Sequence, residues 1–282
     1  MFFNNYNKPG PGVEKRDPNT PRIKVFWEIF PRKLWDLFKL NILYIVASLP
    51  FIFVTMLVAG IISLPLINGI SSTLSSKELV AYDIFIRGAV AFLFMVFVGL
   101  GPTTAGFTYI IREYACERHS WGISDFFKAC KTNFKQSILM WIIDLAVLYV
   151  FAVAVRFYGQ SGNTAFQYII LLATIIYIMM HIYIYQIMIT FDLPSKHILK
   201  NSFLLTMGRA PVNLLIFLCN IIVYMIIPVS FVMSKEGPLT TAIVLFSEIL
   251  FFPSITNFIT SFYIMPILEK YISNDKHQSV ES

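Results

Sequence analysis

Four ionisable residues lie within stretches otherwise too apolar to hold them: Arg87, Asp144, His181 and Glu248. On insertion scales a charge at mid-bilayer costs about 2.5 to 3.5 kcal/mol, so each should face a bundle interior, be neutralised, or line a wet cavity. Asp144 falls seven residues into its apolar run, roughly 10 Å from one face at 1.5 Å per residue. His181, on the next run, is at nearly the same depth, so the two are placed to meet across a hairpin. Glu248 stands nine residues beyond Leu239, about 13 Å from the opposite face. Arg87, near the end of its run, can reach inward or snorkel outward. Two readings of these groups stay open. They form a proton relay or cation site, or they join helices by hydrogen bonds, as Gln186, Asn220 and Asn257 would.

Other chemistry finds little support. The chain has no HExxH, GxSxG or phosphate-binding glycine loop, and its polar connections are too short to fold into a catalytic domain. His119 and Cys116 are close in sequence, but a nucleophile needs a third, orienting group. Cys116, Cys130 and Cys219 are odd in number and lack metal-ligand spacing, so they are expected reduced, with no metal or cofactor. No enzymatic activity is expected.

The elements that must carry these residues follow from composition. Of 282 residues, 57% are hydrophobic and 13% charged, about half the charge of a soluble domain, and the mean hydropathy is +0.69. The expected fold class is all-α and polytopic. A span needs roughly 20 apolar residues. Six runs qualify, at about 41–66, 84–112, 137–157, 165–190, 211–233 and 239–268. Residues 1–24, polar and proline-rich, read as a disordered tail rather than a signal peptide, 25–268 as the membrane domain, and 269–282 as a second tail. Of 22 Lys and Arg, only Lys77, Arg87, Arg156 and Lys235 fall on one side, so both termini should be cytoplasmic in a plasma membrane. The net charge of +6 is thus a matter of topology and does not indicate a nucleic-acid partner.

The basic connections carry structure of their own. In "GISDFFKACKTNFKQS" the residues Ile123, Phe126, Phe127, Cys130, Phe134 and Ile138 recur at helical spacing, with Ser124 as the expected N-cap. This predicts an amphipathic helix in the inner interface, with Lys128, Lys131 and Lys135 meeting anionic lipid or a partner. Aligning the basic segments on Phe38, Phe134 and Phe203 places Arg32, Lys128 and His197 in one column, consistent with three repeats of an interfacial helix feeding a membrane hairpin.

The second span contains "GLGPTTAGFTY". A helix over 84–112 would be about 43 Å long, some 13 Å more than the bilayer core, and a kink at Gly101-Pro102 with protrusion of the charged end accounts for the excess. Pro102 and Pro253 should each free the carbonyl one turn earlier, with Thr103, Thr104, Ser254 and Thr256 placed to compensate. Such breaks are common structural features of membrane helices, and in transporters they mark binding sites.

"GPTTAGFTYIIREY", followed by "FFKACKTNFKQS" and "LPSKHILKNSFLL", resembles the YesL-like family of bacterial integral membrane proteins across residues 25–268. The Gly-Pro-x-x-Ala-Gly element, Gly101 to Gly106, is the most specific part. The family has no established activity. Its occurrence in Gram-positive bacteria beside sugar-importing ABC transporters, glycan-degrading enzymes and sensors implies an accessory role in carbohydrate uptake or sensing, with an ABC permease or sensor kinase as partner. The alternative is a small secondary transporter whose site lies near Pro102, Pro253 and Glu248.

Overall fold

The computed structural model describes residues 20–70, 75–234 and 250–270, and among these the regular structure is helical throughout. Helix α1 runs from Arg22 to Ile70, about 74 Å at 1.5 Å per residue, with no pause between its basic first third and its apolar remainder. An interfacial helix separate from the first span is therefore not formed. The aromatic residues of that first third explain why: Phe26 and Phe30 pack on Phe258, and Ile29 is fully enclosed. Burial of these side chains holds the segment straight against its neighbours.

Helix α2, Ser76–Leu93, starts at a capping box in which Ser75 and Glu78 satisfy each other's backbone amides. It ends in a π turn, Phe94–Val98, and a three-residue break, after which α3 covers Pro102–Ala115. The single kinked helix expected over 84–112 is thus two helices. Pro102 occupies the first turn of α3, where its missing N–H is one that no helix uses, so the penalty of an interior proline does not arise.

Helix α4 is Ile123–Thr132, and one residue, Asn133, separates it from α5, Phe134–Gln160. Its N-cap is Gly122 rather than Ser124, because the Asp125 carboxylate takes the Trp121 N–H at 2.8 Å and stabilises the turn instead. Helix α6, Thr164–Thr190, returns alongside α5. Helices α7, Ser195–Gly208, and α8, Ala210–Ser234, form a corner bent by 95°. Asn213 pins that corner: its amide donates to the Leu205 and Thr206 carbonyls, both at 3.1 Å, and its oxygen accepts from Tyr183 at 2.7 Å. Helix α9 covers Leu250–Lys270. Five of the described helices are long and apolar enough to cross a membrane, or six if the bent pair is one span.

The helices form two layers. In α3, in the second half of α6 and in α9, most side chains are buried, polar ones included. Helices α1, α5 and α8 instead expose Val46, Leu49, Ile142, Val150, Leu215 and Ile222. A surface of that composition fits a multi-pass membrane protein, whose outer face meets lipid. Each outer helix is tied to an inner one by polar bonds. Tyr44 meets Thr104 Oγ1 at 3.0 Å, Asp144 meets His181 at 2.9 Å, and Asn220 donates to Thr260 at 3.3 Å. Leu37, Leu40 and Tyr44 in α1, Ser137, Met140 and Asp144 in α5, and Asn213, Ile216 and Asn220 in α8 share one spacing and are all buried. Phe38, Phe134 and Phe203 fall at different positions relative to these residues.

Candidate functional site

The break between α2 and α3 lies in the middle of the bundle, and glycine makes it possible. Gly99 has φ 121° and Gly101 φ 64°, in the region that side chains rarely adopt. A Cβ on Gly99 would also sit 2.5 Å from the Tyr185 ring. The intervening Leu100 is satisfied by the two threonines of the motif: its N–H donates to Thr104 Oγ1 at 2.6 Å, and its carbonyl accepts from Thr103 at 3.0 Å. Ser48 of α1 donates to the same Thr103 oxygen at 2.8 Å. The hydroxyls expected to compensate a freed carbonyl near Pro102 therefore stabilise the broken backbone itself. In α9, Ser254 donates to Phe251 and Thr256 to the Phe252 and Pro253 carbonyls. Pro253 is in the first described turn, and its expected partner Ile249 lies outside the described residues.

Beside the break is a cavity of about 50 Å³, reached by Gly99, Thr104, His181, Gln186, Asn220 and Thr260 among others. That is space for a few waters or one small ion, not for a sugar ring. Two deeply buried side chains lining it have an unsatisfied carbonyl oxygen, Gln186 Oε1 and Asn220 Oδ1, and the Tyr185 hydroxyl beside them faces the Gly101 amide. Their amide nitrogens are used, Gln186 toward Ser261 at 2.5 Å and Asn220 toward Thr260. Carbonyl-type oxygens left free suit a donor or a cation. No lysine or arginine is among the described residues lining the space.

Asp144 and His181 come together against this cavity. Asp144 Oδ1 receives the Tyr177 hydroxyl at 2.7 Å and lies 2.9 Å from His181 Nε2, while His181 Nδ1 is 3.0 Å from the Tyr177 carbonyl. The carboxylate is fully buried and its Oδ2 has no partner. An acid, an imidazole and a phenol at contact distance can share and pass a proton. Arg87 does not join them. It pairs with Asp83 at 2.7 Å and packs its guanidinium on Gly60 of α1, toward the other end of the bundle. Glu248 lies outside the described residues, and Asn257 reaches the cavity rim. Sequence reasoning passed over Tyr177 and Tyr185. Each is four residues from His181, which places both on the His181 face of α6, a signal that only the position of that face could interpret.

At the basic end, Gly106 permits close approach of α4. A Cβ there would strike Cys130 Sγ and lie 2.7 Å from the Phe126 carbonyl. The amphipathic stripe accordingly divides. Phe126 is buried in the protein, while Ile123, Phe127 and Phe134 stay exposed. Lys128, Lys131 and Lys135 rim a groove of about 840 Å³ between α4 and the end of α6, together with Asp125, Gln136 and Asp192. Behind it is a clasp, buried at Arg112 and Glu113 and exposed at Arg118 and Glu269, that the charge count treated only as topology. Arg112 donates to Glu113 at 2.9 Å and to the Ile189 carbonyl at the end of α6 at 3.0 Å, and Arg118 bridges Glu113 and Glu269, each at 3.7 Å. Arg112 thereby caps orphan carbonyls of α6 while its own charge is neutralised. Burial pushes the Cys130 thiol up to about 11 and raises Cys116.

The motif, the break and the α4 contact all fall in the first half of the chain. Residues 34–155 match the family model described as "Protein of unknown function, DUF624". The matched stretch spans most of α1 through α5, so it contains Gly101, Pro102, Gly106 and Asp144 but not His181. No curated protein and no solved structure matches the chain.

Proposed function

We propose that the chain is a non-enzymatic, six-span protein of a bacterial plasma membrane with both termini in the cytoplasm, acting as an accessory subunit of a carbohydrate uptake or sensing system. The observation that carries this reading is the groove at the basic end, where three lysines and the exposed Phe134 flank two carboxylates on a surface the positive-inside rule assigns to the cytoplasm. Aromatic area is enriched at docking surfaces while lysine is not, so the lysines would act there through charge complementarity with an acidic face of the partner. The accessory role is what the YesL-like resemblance implies, and the DUF624 match names no activity. The corresponding positions of the three outer helices support reading the chain as three hairpin units. Affinity purification from native membranes should recover an importer permease or sensor kinase with the wild type, and replacing Lys128, Lys131 and Lys135 together by Glu should reduce recovery about tenfold. Equal recovery by both would remove the groove as the docking surface.

The broken helix at the polar cavity favours a second reading, a secondary transporter coupled to protons or a small cation. Here the described part of the site is Gln186, Asn220 and Tyr185 beside Asp144 and His181, and Glu248 lies outside the described residues. Protein reconstituted alone into liposomes should then dissipate a proton or sodium gradient, and Asn220→Leu should stop it. Tight liposomes would rule this reading out.

A further inference from the structure

A second cavity lies on the outside of the bundle, between the α1–α2 hairpin and the α5–α6 hairpin. It is an open cleft of about 740 Å³, walled by Val58, Val90, Phe94, Leu148, Phe151 and Leu171. One end is polar: Arg156, Gln160 and Gln167 line it there, and no Asp or Glu does among the described residues. Arg156 Nη1 is buried without a hydrogen-bond partner. A guanidinium nitrogen left unpaired in a low-dielectric setting is costly, and the ordinary remedy is a carboxylate or phosphate.

We propose that this cleft binds one phospholipid with an anionic headgroup, its phosphate on Arg156 and one acyl chain lying along α5 toward Leu145. Dimensions decide the occupant. Arg156 is 22 residues beyond Phe134 at the basic end of α5, about 33 Å away at helical rise, which is the thickness of the hydrocarbon core. The guanidinium therefore stands at the phosphate level of the leaflet opposite the basic end. From Arg156 to Leu145, the deepest α5 residue of the cleft, is about 16 Å, the depth of one leaflet. Apart from the Thr55 and Thr174 hydroxyls, which donate to carbonyls of their own helices, the polar groups are at the headgroup end and the remainder is apolar, as a single lipid requires. Gln160 and Gln167 offer amides to the phosphate or glycerol oxygens, and the planar guanidinium binds phosphate through two N–H groups. At its deep end the cleft stops at Ile178, which also lines the central cavity, so a seated acyl chain closes the lateral approach to the polar site. The proposal requires the helices to span a membrane but is independent of either function above.

The test is native mass spectrometry of the full-length protein in detergent, delipidated and then mixed with phosphatidylglycerol or with phosphatidylcholine of the same chains. The wild type should keep one phosphatidylglycerol about tenfold more strongly than phosphatidylcholine. Arg156→Gln should erase that preference while Arg156→Lys keeps part of it, and Leu148→Trp, which fills the cleft, should remove both adducts. Lys77→Gln, the same change of charge outside the cleft, should leave the wild-type pattern intact. A preference that survives in Arg156→Gln, lipid retained in Leu148→Trp, or dimers in place of lipid adducts would overturn the proposal.

Discussion

Asp144 shows how a single buried carboxylate depends on its partners. Its Oδ1 is held by Tyr177 and His181 on the next helix, and no solvent reaches it. Removing the imidazole leaves that group short of a partner, whereas removing both groups leaves only the half-buried Tyr177 hydroxyl to find another acceptor. His181→Leu should therefore lower stability in detergent by about 3 kcal/mol, and the double variant with Asp144→Leu should recover at least half of the loss, measured by thermal unfolding. Cys130 gives a pH-dependent counterpart outside the spans. With its thiol pushed up to about 11 by burial, thiolate is scarce at neutral pH, so maleimide labelling should accelerate nearly tenfold per pH unit from 7 to 10. The same shift favours the protonated thiol in the folded state. Its contribution to stability is present below the ordinary thiol value and is lost as pH rises toward 11. A labelling rate that levels off below pH 9 would contradict the burial.

Among the elements, the second crossing differs most from its sequence expectation. The hydropathy of 84–112 is continuous, and proline alone suggests a kink; the complete break depends on Gly99 and Gly101 adopting backbone angles that no periodicity reports. The threonines were legible as compensating hydroxyls, but which backbone they serve was not, because that depends on where the helix stops. Helix α4 shows the same limit. Its apolar spacing is evident, yet whether an apolar face meets lipid or protein depends on what lies beside it, and here Gly106 brings α3 close enough to take Phe126. Gly106→Ala should cost about 1–3 kcal/mol by forcing α4 away, while Gly88→Ala, where a Cβ meets nothing within 4 Å, should be neutral or slightly stabilising. Comparison of the two melting temperatures checks this.

In the whole molecule, the two-layer arrangement assigns the polar residues of α3, α6 and α9 to the interior and leaves α1, α5 and α8 to meet lipid. The orientation proposed from charge has a direct check. Introduced cysteines in 113–136 should stay unlabelled by impermeant maleimide in intact cells, and one in the 161–163 turn should label; the reverse pattern would invert the topology. The third and fourth spans were readable nearly to their ends, since lipid as solvent demands apolar length and little else, while the first helix begins 19 residues before its apolar run. The central site was readable only in part. Asp144 and His181 stand out because charge in an apolar run is rare, while Tyr177, Tyr185, Gln186 and the cavity they face do not.

By itself, the sequence determined the all-helical, lipid-facing class, the position of most of the long apolar helices and the end of the bundle at which positive charge collects, because these depend on composition summed along the chain. Only the tertiary structure decided that the second crossing breaks at Gly99, that Arg87 pairs with Asp83 rather than with the central acid, and that the polar face of α6 meets α9 and α8. Those outcomes depend on which helix is neighbour to which, and contacts between residues far apart in the chain leave no periodic trace in it.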